Sequence, residues 1–233
     1  MPPLAKPQNY VGTITKIVRA SPRVKIFTFS LDKPDFTFTP GQNVVLSIPG
    51  FVNDEGAPVK RVYSIASSPN DPLELCIAIL PNGTISQKLD KMKTGDTLTI
   101  QGPYGAYQLQ NPTEAINLIA GGTGIAPLIS ILRHLLKHNQ ETKITLYFGF
   151  RNEEDFLYRT ELEGYASRGW LTLHTASSGE TDWPTKGRIT TLVKQHIVNA
   201  PTYICGPQPL VTDTRKILEE KGFSTAQIMY EAW

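Results

Sequence analysis

Arg61-Val62-Tyr63-Ser64 places a cation, a flat ring and a small hydroxyl within four residues. A flavin dinucleotide asks for that combination, because its pyrophosphate is anionic, its ring is broad and aromatic, and its N5 takes part in hydrogen bonds. Two further runs lie downstream, Gly121-Gly122-Thr123-Gly124-Ile125-Ala126-Pro127 and Cys205-Gly206-Pro207. The first is a glycine-rich turn that lets backbone approach a phosphate just before a helix begins. In this order and spacing, the three runs read as a flavin seat followed by a nicotinamide dinucleotide seat.

Each run, taken singly, also has a purely structural reading. Arg61 to Ser64 suits an edge strand with a solvated Arg and a packed Tyr. Side chains alternate along a strand, so Arg61 and Tyr63 share a face and Ser64 turns away unless a twist or strand end redirects it. Gly83-Thr84-Ile85-Ser86 opens a helix, which sets free N–H groups and the positive end of a helix dipole where a pyrophosphate could sit. Thr84 or Ser86 would equally cap that helix, and both roles are compatible. The Gly121 to Gly124 spacing departs from Gly-x-Gly-x-x-Gly, with Ala126-Pro127 where the third glycine would stand. No acidic residue of ribose-binding type follows the second strand, so a plain strand-to-helix turn stays open. His134 and His138 are one helical turn apart, but no third ligand accompanies them; a solvated pair and no metal are expected. Cys76, inside an apolar strand, reads as a buried thiol.

The elements that must position these residues fall into two halves. Short runs rich in β-branched and aromatic residues, at 11–18, 24–29, 44–48, 61–66, 73–79 and 97–101, predict six strands interrupted by one helix over 84–92. That pattern suits a small antiparallel β-barrel. Near Gln110-Asn111-Pro112-Thr113 the character changes. Strands at 115–120, 143–149, 171–175 and 202–205 alternate with helices from the glycine turn to about 138, then at 155–167, 189–195 and 209–221. This predicts an α/β doubly wound parallel sheet. The expected domains are therefore 1–110, flavin-binding, and 111–233, nicotinamide-binding.

Composition sets outer limits. A chain of 233 residues with 40% hydrophobic and 19% charged residues has the make-up of ordinary globular domains. A net charge of +2 is too small to suggest nucleic acid, which needs a clustered basic face. No apolar run reaches the ~20 residues of a membrane span, and the first eight residues lack a signal-peptide h-region, so a cytoplasmic protein is expected. Cys76 and Cys205 are the only cysteines, too few for a disulfide framework or a four-cysteine iron-sulfur cluster.

As a set these residues resemble the ferredoxin-NADP reductase superfamily, from about Tyr10 to Trp233. Arg61 to Ser64 is similar to its Arg-x-Tyr-Ser/Thr flavin motif, and Gly83 to Ser86 to its pyrophosphate-facing motif. Gly102-Pro103-Tyr104-Gly105 resembles the turn closing the flavin domain. Gly121 to Pro127 resembles its nicotinamide-domain glycine motif, and Cys205-Gly206-Pro207 its turn beside the nicotinamide ring. Glu231-Ala232-Trp233 is similar to the acidic residue and terminal aromatic of reductases in that group. The resemblance implies FAD held by Arg61, Val62, Tyr63, Ser64, Gly83, Thr84, Ile85, Ser86, Thr123 and a stacking Trp233. It implies NADH or NADPH at Gly121, Gly122, Thr123, Gly124, Cys205, Gly206 and Pro207, with Ser64, Cys205 and Glu231 around the hydride path. A terminal aromatic that simply packs on the core or frays is the bland alternative for Trp233.

In family members using NADP, a Ser-Arg pair after the third nucleotide-domain strand binds the 2′-phosphate. Here the stretch is Ser177-Ser178-Gly179-Glu180, without that Arg, which tilts the expectation toward NADH. Arg151, Lys186 and Arg188 stay available as 2′-phosphate ligands or as solvated cations. The resemblance implies a monomeric reductase serving a separate ferredoxin, flavodoxin or oxygenase component. A reductase of diffusible flavin and a flavin-binding regulatory subunit are the alternatives.

Overall fold

The computed structural model describes residues 6–110, 114–138, 141–179 and 182–233. Its chain divides into two compact units, Met1–Gln108 and Leu109–Trp233. Residues 111–113, where the sequence changes character, and Glu180 lie outside the described residues.

The first unit holds β1 (Gln8–Ser21), β2 (Val24–Leu31), β3 (Asn43–Val52), β4 (Pro58–Ser64), β5 (Leu73–Ala78) and β6 (Thr97–Tyr104). They form one antiparallel sheet in the order β4-β3-β6-β1-β2-β5. An antiparallel bridge from Ile65 to Leu75 ties the chain just beyond β4 to β5, and Ala66 N–H donates to the Glu74 carbonyl at 2.8 Å. The two sheet edges therefore meet and the sheet closes on itself, which removes the exposed edges that invite aggregation. Period-2 alternation explains the filling: Phe27 and Phe29, Val44 and Leu46, Leu75 and Ile77, Leu98 and Ile100 all enter one buried cluster. The helix α1 (Thr84–Lys91) adds Ile85 and Leu89 to that core. All six expected strands are present. β4 starts earlier than expected and stops at Ser64, so Ser64 is a strand-end residue.

The second unit holds β7 (Ala115–Gly121), β8 (Lys143–Phe150), β9 (Thr172–Ser177), β10 (Thr202–Gly206) and β11 (Ile228–Ala232), parallel throughout, in the order β11-β10-β7-β8-β9. Its helices are α2 (Ile125–His138), α3 (Arg159–Ser167), α4 (Ile189–His196) and α5 (Gln208–Glu220). The chain runs outward from β7 to β9, then returns to the opposite side of β7 as β10. The strand order thus reverses between β7 and β10, and in such sheets ligands bind outside the carboxyl ends of the strands at that point. Ile189 and Val193 of α4 and Val211 and Leu218 of α5 share one buried cluster with Ile119, Tyr147, Ala176 and Ile204. α4 and α5 therefore cover the same face of the sheet.

Two elements differ from the expectation. The helix expected from Asp155 begins at Arg159. A 3-10 turn, Glu153–Asp155, is opened by a capping box in which Asn152 and Asp155 satisfy each other's backbone N–H groups, and it does not run on into the helix, because Tyr158 takes a left-handed φ of 57°. The strand β11 has no counterpart in the sequence reading, because five residues at a chain end become a strand only through pairing with β10. No helix among the described residues is long and apolar enough to cross a membrane, and none of their His, Cys, Asp and Glu side chains form a group of three able to hold a metal.

Tyr147 of β8, His174 of β9 and His196 of α4 form a column of near-parallel rings, with centroids 4.8 and 5.0 Å apart. Burial, and then the charge of His196, push the His174 imidazole below its usual 6.5. The unfolded chain therefore binds more protons than the folded one below that value, and stability rises with pH through the window. Urea unfolding should show the stability complete above about pH 7 and declining as the pH falls below His174's ordinary value. The decline should be shallower in His174→Gln; equal slopes would remove this imidazole from the account.

Candidate functional site

In the first unit the flavin-motif residues gather around the start of α1. Arg61 lies on β4, where its Nη1 donates to the Lys60 carbonyl at 2.8 Å and its Nη2 reaches Thr84 Oγ1 at 3.5 Å. Thr84 is the first residue of α1, and Gly83 ahead of it provides no side-chain cap. The first-turn N–H groups of a helix have no partner within the helix. A guanidinium and an uncapped helix N-terminus consequently face one spot, and both favour an anion.

Ser86 and Ile85 serve the frame of this spot. Ser86 is buried, with Oγ accepting from the Leu80 N–H at 3.2 Å, which fixes the turn leading into α1. The Ile85 side chain is buried in the barrel core. Tyr63 is half-buried and packs against the barrel core. Burial, opposed only in part by Arg61, pushes its phenol up to about 12, so it stays a neutral flat ring at physiological pH. Val62 on the same strand is exposed.

In the second unit the glycine run forms the bend from β7 into α2. Gly122–Gly124 make a 3-10 turn, and α2 follows directly at Ile125. Gly122 has φ +54° and open space where a Cβ would be, so its backbone is approachable from outside. Gly124 is the opposite case. A Cβ there would collide with the Cys205 carbonyl and stand 2.7 Å from the indole of Trp233. The turn thus runs directly against the end of β10, and only glycine allows that approach.

Cys205 and Glu231 are register partners on β10 and β11. The Cys205 thiol is fully buried, and burial with the nearby Glu231 carboxylate raises it well above its ordinary value, so it is a neutral thiol. Trp233 is 57% exposed and held through its carbonyl, which accepts from the Gln208 N–H at 3.3 Å. Gly124, Cys205, Glu231 and Trp233 are thereby brought together at the carboxyl ends of β7, β10 and β11. Pro207 leads into α5.

The three candidate cations are less alike than the sequence suggested. Arg151 follows β8, and its carbonyl accepts from Ser177 Oγ at 2.6 Å. Lys186 lies on the segment that returns to pair with Ser177. Arg188 precedes α4 and its Nη1 makes a 3.0 Å ion pair with Asp213 of α5. Asp213 carries no motif, and a carboxylate on a helix surface reads from sequence as solvated; only the packing of α4 beside α5 reveals its partner. A separate cavity of about 430 Å³ opens at the amino ends of β7 to β9, lined by Ala115, Lys143 and Trp170 among others. It contains none of the motif residues.

The chain matches two family models, the oxidoreductase FAD-binding domain over residues 12–109 and the oxidoreductase NAD-binding domain over residues 118–216. It is 33% identical to NADH-cytochrome b5 reductase 1 of Aspergillus terreus, covering 94% of this chain and 79% of that protein. It is 29% identical to the toluate 1,2-dioxygenase electron transfer component of Pseudomonas putida, over 96% of this chain and 66% of that protein, just under two thirds of its length. Among solved structures it resembles the ferredoxin-NADP+ reductase of Plasmodium falciparum, with a TM-score of 0.81 at 22% identity over 97% of this chain and 96% of that one. The two matched domains follow one another along the chain in the order of its two units, and the chain belongs to the ferredoxin-NADP reductase family of flavin-dependent NAD(P)H oxidoreductases.

Proposed function

We propose that this chain takes electrons from a reduced nicotinamide dinucleotide through bound FAD and delivers them to a separate one-electron carrier, such as a ferredoxin, a flavodoxin or an oxygenase component. The observation that carries this reading is the convergence of Arg61 and Thr84 on an uncapped helix terminus, an anion seat of the kind a tightly held flavin dinucleotide needs. It favours a resident flavin over a diffusible one. The carrier is supported by the relatives, which include a cytochrome b5 reductase and the electron transfer component of a dioxygenase.

The residues divide the work as follows. Arg61 and the first-turn N–H groups at Thr84, Ile85 and Ser86 bind the flavin pyrophosphate. Tyr63 offers a flat neutral ring, and Ser64, at the strand end, a hydroxyl for the flavin's polar edge. Gly121 to Gly124 admit the coenzyme pyrophosphate to the head of α2. Cys205 and Glu231 line the nicotinamide end, and Trp233 covers that surface until the nicotinamide ring displaces it. Bound flavin supplies the exchange between two-electron and one-electron chemistry; the protein supplies binding and orientation.

Three outcomes test these assignments. Desalted protein should carry a flavin absorption band that bleaches anaerobically with stoichiometric NADH or NADPH; colourless protein that oxidises the coenzyme only with added flavin would replace the reading with a diffusible-flavin reductase. Arg61→Ala should bind FAD roughly ten- to a hundredfold more weakly by fluorescence titration, the worth of a charge-assisted contact. Gly124→Ala should keep its flavin yet bleach at least about tenfold more slowly with coenzyme, since small displacements of reacting groups are costly; an undisturbed rate would remove the glycine turn from the coenzyme seat.

A further inference from the structure

The ion pair between Arg188 and Asp213 joins the amino end of α4 to the second turn of α5. Ile189, next to Arg188, packs its side chain 2.9 Å from the position a Cβ on Gly149 would take. Gly149, near the carboxyl end of β8, is in register with Gly121 at the start of the glycine turn. Gly121 in turn lies beneath Leu210 and Pro207 at the start of α5. The amino ends of α4 and α5 thus lie beside the carboxyl ends of β8 and β7, and the 3.0 Å pair links the residue ahead of α4 to the second turn of α5 on that side of the sheet.

Charge gives this placement a consequence. An extra phosphate on the adenosine ribose would bring about two negative charges to that side of the sheet at neutral pH. Arg188 is suited to receive it, but its guanidinium is occupied by Asp213, whose own charge repels the phosphate. The pair is largely open to solvent, with side chains 71% and 46% exposed, so it contributes little to stability. Its effect is on what can bind beside it. A dinucleotide without the 2′-phosphate meets a neutral pair; one with it must break the pair and tolerate a carboxylate.

We propose that Asp213 is a specificity residue that biases the coenzyme seat toward NADH by neutralising Arg188 and excluding a ribose 2′-phosphate. The proposal rests on the second unit being the coenzyme seat described above.

The experiment compares wild type, Asp213→Asn and Asp213→Asn/Arg188→Ala as flavin-loaded proteins, reading kcat/KM for NADPH relative to NADH. This ratio is taken within one preparation and is insensitive to the fraction folded. A second readout is calorimetric binding of 2′-phospho-AMP against AMP. Wild type should favour NADH and AMP. Asp213→Asn should raise the NADPH-to-NADH ratio about tenfold, the worth of one charge-assisted contact, and tighten 2′-phospho-AMP relative to AMP. The gain should vanish in the double variant and shrink with added salt. Ratios within twofold of wild type by both readouts, a gain that survives loss of Arg188, or a wild type that already prefers NADPH would overturn the proposal. AMP binding without oxidation of either coenzyme would count against the reductase reading instead, and the 2′-phospho-AMP comparison would still decide the role of Asp213.

Discussion

The turn after β7 passes so close to the carbonyl of Cys205 that no side chain fits at Gly124, and the arrangement of the second unit's site follows from that approach. Parallel pairing of β7 with β10 brings the two strand ends level, with Cys205 beside Ala120 and Glu231 beside Cys205 on the next strand. Any residue larger than glycine would push the turn off the strand end and lift the head of α2 with it. The same contact leaves room for the Trp233 indole, which lies over Gly124. The register of β10 with β11 and the close approach at Gly124 bring Cys205, Glu231 and Trp233 together. Paired backbone in a close-packed interior is stiff, so the spacing of Cys205 and Glu231 is well defined, whereas the Trp233 side chain is 57% exposed.

The first unit solves a different problem. A closed antiparallel barrel satisfies its backbone groups internally and offers few places for an anion. The helix α1 supplies the exception, because a helix end leaves N–H groups without partners within the helix. Burial of Ile85 and Leu89 in the barrel anchors α1, and the Ser86 hydroxyl locks the approach to it. The residues around α1 thus split by chemistry: the buried ones hold the helix in place, while its uncapped first turn lies beside Arg61.

Electrostatics in this protein act locally. The net charge of +2 establishes no strong overall field, so selectivity between anionic ligands has to come from individual placements. Burial beside Glu231 keeps the Cys205 thiol neutral, and burial keeps the Tyr63 phenol neutral, so neither brings charge to its site. Arg188 and Asp213 form an exposed ion pair, and such pairs are weakly held.

Local pattern was enough to read the six barrel strands, the helix after Gly83 and the alternation of strand and helix beyond residue 114. Period-2 and helical periodicities belong to the chain itself, and glycine and proline mark the breaks. The motif runs at Arg61, Gly83, Gly121 and Cys205 were legible for the same reason, as short continuous stretches. What the sequence did not contain was anything that depends on partners distant along the chain. β11 exists through its ladder with β10, α3 starts late because the 3-10 turn before it ends and Tyr158 turns left-handed, and Ser64 became a strand end because β4 meets β5 one residue later. Asp213 is the clearest case. It lies 25 residues from Arg188, and nothing in either neighbourhood marks the other. Periodicity is a local property of residue order, whereas ion pairs between helices and close approaches between strand ends are set by the sheet that brings them together, and so only the tertiary structure decided them.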